Sequence, residues 1–363
     1  MPQNSTQSKP RIVFHVPFRL GYAISGGGIR PGKMIAAFEE LGYAVDVISG
    51  DRASRAQAMA AITERLDRGE EYAFCYAESS VLPTMLTEKN NRPFYPFADF
   101  DFFAMLKGRG IKIGLFYRDI YWKFKYFMQD KPWHARLWRK FFYHLDFHYY
   151  AKLLDVLFLP SMKLAYLLPD SLKARACPLP AAHDMTSDVE RPLPRTPGDL
   201  RFIYVGGVSS PVYDISPLIG LGARHSVTVC TRQEEWAQWK GFYGELPGGV
   251  TVCHLHGDTL KAAFAEHNVS AIVRTHHPYL GFAMPNKMYE AVGQNIPLLV
   301  SGGTSVAEFV AENNVGWVLD ADFGDFDPER MLREYEAKVE RMKEIKAEHH
   351  WTMRARKVES LLA

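Results

Sequence analysis

Residues 284–300 read Met-Pro-Asn-Lys-Met-Tyr-Glu-Ala-Val-Gly-Gln-Asn-Ile-Pro-Leu-Leu-Val. This pattern predicts a loop, a short helix, a turn marked by Pro297 and a buried strand. The free N–H groups and the positive dipole end of the helix, with Lys287 in its first turn, suit a diphosphate. Glu290 lies one turn further along the same face, where its carboxylate can accept hydrogen bonds from two ribose hydroxyls. One helical turn can therefore hold the phosphate and the sugar of one nucleotide.

This stretch resembles the nucleotide-sugar site of GT-B glycosyltransferases, in particular the family-4-like members (glycosyl transferases group 1). These carry Pro-x-Lys-x-x-Glu, a small stretch that ends in Gly, then Pro and an apolar strand. Further matching features follow it: Ser301-Gly-Gly303, a second short helix with Glu308, and Asn314-Val-Gly-Trp-Val318. The resemblance implies that Glu290 binds the ribose and Lys287 the diphosphate. The alternative is an ordinary βαβ unit in which both residues are solvated surface charges.

Length and composition indicate a two-domain globular protein. The chain has 363 residues, 47% of them hydrophobic and 23% charged, with a net charge of +2. Its four cysteines are far apart and mostly in apolar surroundings, which favours reduced thiols in a cytoplasm over a disulfide framework. The first residues lack the apolar core of a signal peptide, and no run approaches the roughly 18 apolar residues of a membrane span. We therefore expect a cytoplasmic protein, with a contact at the inner face of the cell membrane as a further interpretation.

Two successive series of strands and helices predict an α/β fold of the GT-B type, with two Rossmann-like domains facing each other across a cleft. The expected order is a disordered N-terminus (1–10), an N-terminal acceptor domain (11–185), a linker (186–199), a C-terminal donor-binding domain (200–327) and a helical segment (328–363) that packs back on the first domain. Strands are predicted at residues 11–17, 43–49, 72–76, 111–117 and 156–159, and in the second domain at 200–205, 225–230, 250–257, 271–274 and 298–300.

A glycine-rich loop is predicted at residues 26–28, before a helix from about Pro31 to residue 41. It is neither a phosphate loop, because Met34 replaces the required Ser or Thr, nor a dinucleotide fingerprint, because Pro31 interrupts that pattern. The loop resembles the one after the first strand of GT-B enzymes. That likeness implies that Gly27 and Gly28 bring the backbone close to donor phosphate or acceptor, with charge from Arg30; a plain turn is the alternative.

The remaining donor-site residues follow from the resemblance. The backbone before the key helix would face the donor sugar, although Phe282 stands where many relatives have a glutamate, eight residues before Glu290. Relatives also place an Arg and a Lys after the first strand of the second domain, and neither is present near Ser209. Lys287 would then be the main cation. The expected donor-binding set also includes Asn286, Gly281, Phe282, Ala283, Met284, Gly207, Ser209, Arg232, His256 and Arg274.

Three residues are candidates for catalysis. Arg118 stands where relatives often have a histidine, and Asp119 aligns with the acid beside it. Asp119 could be a general base if the reaction inverts the anomeric centre, or a sugar-binding group if it retains it, whereas the alternative is a surface ion pair. His277 ends a strand near the predicted sugar site. We expect no metal, either at the Asp-x-Asp pairs (99/101 and 325/327) or at 253–256, and no cofactor.

Residues 107–143 combine ten basic residues with interleaved aromatic ones. Nucleic acid is one interpretation, since bases stack on aromatic rings. A membrane interface is favoured, because Trp and Tyr prefer the headgroup level and cations prefer anionic lipid. The remaining interpretation is a helical hairpin whose aromatic residues form a core.

The resemblance thus implies a metal-independent, retaining hexosyltransferase. It would transfer a sugar from a UDP- or GDP-sugar to a glycan or lipid-linked acceptor in cell-surface polysaccharide synthesis, without binding nucleic acid. The absent glutamate and the missing cations near Ser209 leave a non-catalytic nucleotide-sugar-binding protein as one alternative. A hydrolysing nucleotide-sugar epimerase, which shares the scaffold and needs no acceptor, is another.

Overall fold

The computed structural model describes residues 9–21, 26–93, 95–129, 131–185, 191, 193–320 and 323–363. The chain divides into two compact units, Met1–Pro180 with Trp351–Ala363, and Ala181–His350. Most of the predicted N-terminal segment (1–10), and residues 186–190 and 192 of the predicted linker, lie outside the described residues.

The first unit contains a six-stranded parallel sheet in the order β2-β1-β3-β4-β5-β6. Its strands are β1 (Arg11–His15), β2 (Ala44–Ile48), β3 (Tyr72–Glu78), β4 (Ile113–Phe116), β5 (Val156–Leu159) and β6 (Ala176–Pro178). Its helices are α1 (Gly26–Glu40), α2 (Arg52–Asp67), α3 (Ala98–Gly108), α4 (Trp133–Leu153), α5 (Asp170–Lys173) and, from the end of the chain, α12 (Trp351–Leu362).

Both faces of this sheet are covered, as the sequence of β1 requires. The successive residues Ile12, Val13 and Phe14 are fully buried although their side chains alternate between the faces. The order of the strands reverses between β1 and β3. In open α/β sheets, ligands bind beyond the carboxyl ends of the strands at such a reversal.

The second unit contains a parallel sheet in the order β12-β11-β10-β7-β8-β9, with its reversal between β7 and β10. Its strands are β7 (Arg201–Val205), β8 (Ser226–Cys230), β9 (Val250–Cys253), β10 (Val269–Ile272), β11 (Leu298–Ser301) and β12 (Gly316–Leu319). Its helices are α6 (Ser216–Leu221), α7 (Gln233–Tyr243), α8 (Gly257–Glu266), α9 (Asn286–Gly293), α10 (Ser305–Asn313) and α11 (Pro328–Lys346). Two six-stranded parallel sheets confirm the prediction of two Rossmann-like α/β domains.

The last helix of the chain packs within the first unit. It contacts α1, β3 and β4, and Tyr43 donates a hydrogen bond to Glu359 Oε1 at 2.7 Å. A Cβ at Gly114 of β4 would lie 2.7 Å from Leu362, so glycine permits the close approach. The predicted segment 328–363 is divided, because α11 belongs to the second unit and only α12 to the first.

One local prediction was wrong, and two further features were not predicted. Gly26–Gly28 form the first turn of α1 instead of a loop, and Pro31 lies inside this helix, where only the hydrogen bond to the carbonyl of residue 27 is lost. The short strand β6 was missed, because its three residues carry no pattern. Asp99 is a buried residue of α3, where it binds Arg55 Nε at 3.0 Å and His15 Nε2 at 2.7 Å.

Candidate functional site

Helix α9 forms as the sequence predicts. Its apolar residues Met288, Tyr289, Ala291 and Val292 are buried, which leaves Lys287 and Glu290 on the partly exposed side. The helix ends where Asn295 adopts a left-handed φ of 57°, two residues before Pro297. Packing therefore fixes which face of the first turn remains available to a ligand.

Lys287 and Glu290 bind each other. The Nζ atom of Lys287 donates to both carboxylate oxygens of Glu290, at 2.8 and 2.7 Å, and the two side chains are 30% and 32% exposed. A pair this exposed contributes little to stability. Each partner therefore remains available for another interaction, because either can be separated from the other at small cost.

Arg274 follows β10 at the reversal of strand order. Its Nε atom donates to the Tyr204 hydroxyl at 3.0 Å, and its guanidinium lies over the rings of Tyr204 and Tyr213. A Cβ at Gly206, directly after β7, would lie 3.0 Å from Arg274 Nη2. The loop after β7 and this guanidinium are therefore neighbours, which the sequence did not reveal.

Backbone N–H groups of the same loop bind a carboxylate of the protein. Val208 and Ser209 donate to Oε1 of Glu235 in α7, at 2.9 and 3.2 Å. The other carboxylate oxygen accepts from Arg232 Nη2 at 2.5 Å. Gly207 adjoins this carboxylate, since a Cβ there would lie 2.9 Å from Oε1. Sequence reasoning named Gly207, Ser209 and Arg232 but missed Glu235, whose only signal is its place in the first turn of a helix.

The segment before α9 is held by contacts within the protein. Residues 278–282 form a 3-10 helix in which the Phe282 side chain is buried beside Tyr279. The N–H of Ala283 donates to the carbonyl of Leu280, and Gly281 accepts from the Ser305 hydroxyl. The phenyl group at the expected glutamate position therefore anchors the segment. The Ala283 N–H and the Gly281 carbonyl both have partners within the protein, and Met284 links this segment to α9.

His277 is oriented by the backbone. Its Nδ1 accepts from the N–H of Tyr279 at 3.2 Å, so the proton of the neutral ring lies on Nε2. Burial, with a contribution from His276, lowers the pKa of His277 below its usual value. The neutral ring can therefore donate one hydrogen bond from Nε2. His256 is exposed and caps α8, and Asn286 is the first residue of α9.

In the first unit, Arg118 binds a buried acid that the sequence reasoning missed. Its Nη2 atom lies 3.3 Å from Glu78, which is fully buried at the end of β3. Arg30 approaches the same carboxylate, with Nε at 3.2 Å, and covers the ring of Phe116. Burial lowers the pKa of the Arg118 guanidinium, although the nearby carboxylate opposes this shift. The signal for Glu78 was an acid that closes an otherwise apolar strand.

Asp119 has a local partner. Its Oδ1 accepts from the N–H of Tyr121 at 2.9 Å, which fixes the turn after β4. Arg118 binds Glu78, and Asp119 accepts a hydrogen bond from the backbone of its own turn. Gly27 and Gly28 belong to the start of α1.

Comparison with solved structures identifies the fold. A sucrose-phosphate synthase from Thermosynechococcus elongatus is 11% identical with a TM-score of 0.58, covering 97% of this chain and 98% of its own. Anabaena HepE in complex with UDP-glucose is 10% identical with a TM-score of 0.61, covering 97% and 99%. WaaG, a glycosyltransferase involved in lipopolysaccharide biosynthesis, is 13% identical with a TM-score of 0.55, covering 97% of this chain and 99% of its own.

No protein-family model and no curated protein sequence matches the chain. The similarity in structure nevertheless extends over nearly the whole length of both chains in each comparison. Together with the two parallel sheets, it shows that this chain has the GT-B fold, which these glycosyltransferases share.

Proposed function

We propose that the protein is a glycosyltransferase whose second unit binds a nucleoside-diphosphate sugar, either a UDP- or a GDP-sugar. The observation that carries this proposal is the Lys287–Glu290 pair in the first turn of α9. A cation at the positive end of a helix suits a diphosphate, and a carboxylate one turn further suits ribose hydroxyls. The likeness in fold to a protein solved with UDP-glucose supports the same assignment.

Arg274 supplies the second cation in this proposal. It follows β10, at the reversal of strand order, and no ion pair between described residues includes it. Because a leaving diphosphate develops negative charge, two fixed cations and a helix end can stabilise it without a metal. We propose Asn286, Arg232 and His256 as further contacts to the donor, and the segment 281–284 beside its sugar.

Calorimetric titration with UDP and GDP tests this site. The variants Lys287→Ala and Glu290→Ala should each bind the nucleotide roughly 10- to 100-fold more weakly, the loss expected for a hydrogen bond to a charged group. The pair Glu340–Lys343 on α11 has the same spacing and provides matched controls, Lys343→Ala and Glu340→Ala. Unchanged affinity in both site variants would contradict the proposal.

We propose a metal-independent, retaining transfer, with His277 as a hydrogen-bond donor to the sugar and Arg118 and Asp119 on the acceptor side. The support is the neutral His277 ring with its proton on Nε2, and the engagement of Asp119 by Tyr121, which does not favour a general base. Activity should survive EDTA, and NMR of the product should show the anomeric configuration of the donor. An inverted product would contradict retention.

A second candidate is a nucleotide-sugar-binding protein without transfer activity. The buried Phe282 favours it, because no carboxylate reaches the sugar from that position. A panel of UDP- and GDP-sugars, screened by thermal shift and then incubated with and without acceptors, separates the two. Binding without turnover supports the second candidate, and an altered sugar without acceptor would indicate an epimerase.

We further propose that the acceptor is a glycan or lipid-linked saccharide at an anionic membrane surface. The first half of α4 exposes Trp133, Leu137, Trp138 and Phe141, whose side chains are 70%, 63%, 50% and 56% exposed. Their spacing places them along one side of the helix. We propose a peripheral contact through this exposed side of α4. In the described residues no helix is long and apolar enough to cross a membrane.

The charge of this helix identifies the proposed lipid. Arg136 and Lys140 are exposed between the apolar residues, Arg139 is partly exposed, and residues 133–143 contain no acid. Aromatic side chains favour the headgroup level and basic ones favour anionic headgroups. A role in cell-surface polysaccharide synthesis would follow from an acceptor held at that surface.

Flotation with vesicles tests the membrane contact. The protein should bind phosphatidylglycerol-containing vesicles and not neutral ones, and each of Arg136→Gln and Lys140→Gln should weaken binding roughly fivefold. Trp138→Ser should weaken it too, whereas Phe242→Ser, a matched change at an exposed aromatic residue of α7, should not. Binding to single-stranded nucleic acid instead of vesicles would contradict this proposal.

A further inference from the structure

The loop after β7 forms a seat for an anion. The N–H groups of Val208 and Ser209 converge on one point, which Oε1 of Glu235 occupies. Successive backbone N–H groups that converge in this way bind phosphates and carboxylates alike. Because Glu235 comes from α7, the loop itself contributes only donors to this seat.

Two arginine side chains lie at this loop. Arg232 binds the second oxygen of Glu235, and the Arg274 guanidinium lies beside Gly206, at the start of the loop. The seat also lies at the reversal of strand order between β7 and β10, where α/β sheets bind ligands. The carboxylate of Glu235 thus has one guanidinium group and two N–H groups as partners, and a second guanidinium lies at the start of the same loop.

The glycines leave this seat open to close approach. A Cβ at Gly207 would lie 2.9 Å from Glu235 Oε1 and 3.3 Å from the ring of Tyr213. A Cβ at Gly206 would lie 2.7 Å from the Tyr204 hydroxyl. A side chain at Gly207 would therefore crowd the Glu235 carboxylate, and one at Gly206 would crowd Tyr204 and Arg274.

We propose that the Glu235 carboxylate competes with a phosphate group of the donor diphosphate for the N–H groups of Val208 and Ser209. This inference rests on the proposed function, because it identifies the ligand of the seat as the nucleoside diphosphate. A diphosphate carries more charge than a carboxylate and can use Arg232 and Arg274 together, so it displaces Glu235. The carboxylate acts as an internal competitor that lowers the affinity of the empty protein for nucleoside diphosphates and for free pyrophosphate.

The competing explanation is a permanent brace. In that case Glu235 would hold the loop against α7 in the presence of donor as well. Its removal would leave two N–H groups without a partner and would disorder the loop, so that anion binding would weaken. The two explanations therefore predict opposite changes in affinity on removal of the same carboxylate.

Calorimetric titration of the full-length protein with UDP and with inorganic pyrophosphate distinguishes them. Glu235→Ala should bind both ligands roughly tenfold more tightly than the wild type, the lower end of what a hydrogen bond to a charged group contributes. The affinity of Glu235→Gln should lie between those of the wild type and Glu235→Ala, because the amide keeps the volume of the side chain and loses the charge that pairs with Arg232. Glu234→Ala removes the same charge from the exposed preceding residue of α7 and should leave the affinity unchanged.

Each outcome decides the inference. Equal or weaker binding of both ligands by Glu235→Ala and Glu235→Gln, with unchanged thermal unfolding, would overturn it. If UDP binding still depended on Lys287, the proposed function would stand without the internal competitor. Conversely, tighter pyrophosphate binding by the two variants, with no UDP binding by any form, would support the anion seat and overturn its assignment to the donor.

Discussion

Replacement of Glu78 by glutamine should destabilise the first unit strongly. The carboxylate is fully buried and lies 3.2 Å from Arg30 Nε and 3.3 Å from Arg118 Nη2, while the Tyr76 hydroxyl donates to it at 3.1 Å. Glutamine keeps the volume of the side chain, so the change leaves no cavity. What it removes is the negative charge that compensates two buried guanidinium groups.

The magnitude follows from the burial of the partners. Arg30 is 4% exposed, and the Arg118 side chain is 15% exposed. Removal of one partner from a buried ion pair costs about 3–5 kcal/mol, because the other charge stays buried without compensation. For a unit of this size, that loss corresponds to a decrease in Tm of roughly 6–20 °C.

Thermal and urea unfolding of three variants tests this reasoning: Glu78→Gln, Arg118→Met, and the double variant. If an uncompensated charge causes the loss, removal of Arg118 in the Glu78→Gln background should restore part of the stability. Glu64→Gln is the matched control, because it breaks the exposed pair Glu64–Arg68 and should change stability by less than about 0.5 kcal/mol.

The reasoning would be refuted by a loss below about 1 kcal/mol in Glu78→Gln, the size of an ordinary substitution. A double variant less stable than Glu78→Gln alone would refute it as well. The same series bears on the role of Arg118. If Arg118 acts on the acceptor, Arg118→Met should reduce the transfer activity even at temperatures well below the Tm of the variant, where it is fully folded. If Arg118 only balances the charge of Glu78, the activity of the variant should be proportional to its folded fraction.

Two further predictions concern stability. Gly293→Ala should lower the free energy of unfolding in urea by about 1–3 kcal/mol, because the new methyl would lie 2.6 Å from the ring of buried His183. The control is Gly220→Ala, which lies in a helix with open space around it and should be neutral or stabilising. Equal losses of stability in the two variants would contradict the packing argument. Burial raises the pKa of Asp146 to about 8. The folded state therefore binds more protons than the unfolded one between pH of about 4 and about 8, so this group should lower stability as pH rises, by up to roughly 1.4 kcal/mol per pH unit. Asp146→Asn should abolish that contribution, and a constant difference between the two proteins from pH 5 to pH 8 would contradict the assignment.

The periodicity of apolar residues in the sequence was sufficient to predict the two α/β domains. Runs such as Arg11–His15 and Leu298–Ser301 are apolar on both faces, which only a covered parallel sheet accommodates. The helix with Lys287 and Glu290 was predictable for a local reason, since both residues and the apolar ones that orient them lie within two turns. The start of α1 was not, because three successive glycines favour a loop by propensity and packing of the helix overrides that preference.

Side-chain partners distant in sequence were decided by tertiary structure alone. Arg118 binds Glu78, which ends the adjacent strand and lies 40 residues away in the sequence, and the N–H of Ser209 binds Glu235, 26 residues away. Phe282 was read from the sequence as a missing glutamate, whereas its burial shows that it anchors the segment. The sequence by itself determined the α/β alternation and the helix that carries the Lys287–Glu290 pair, because strand and helix periods are local. Which charges meet, and which backbone N–H groups are occupied, depends on how strands align side by side, and that alignment exists only in the folded chain.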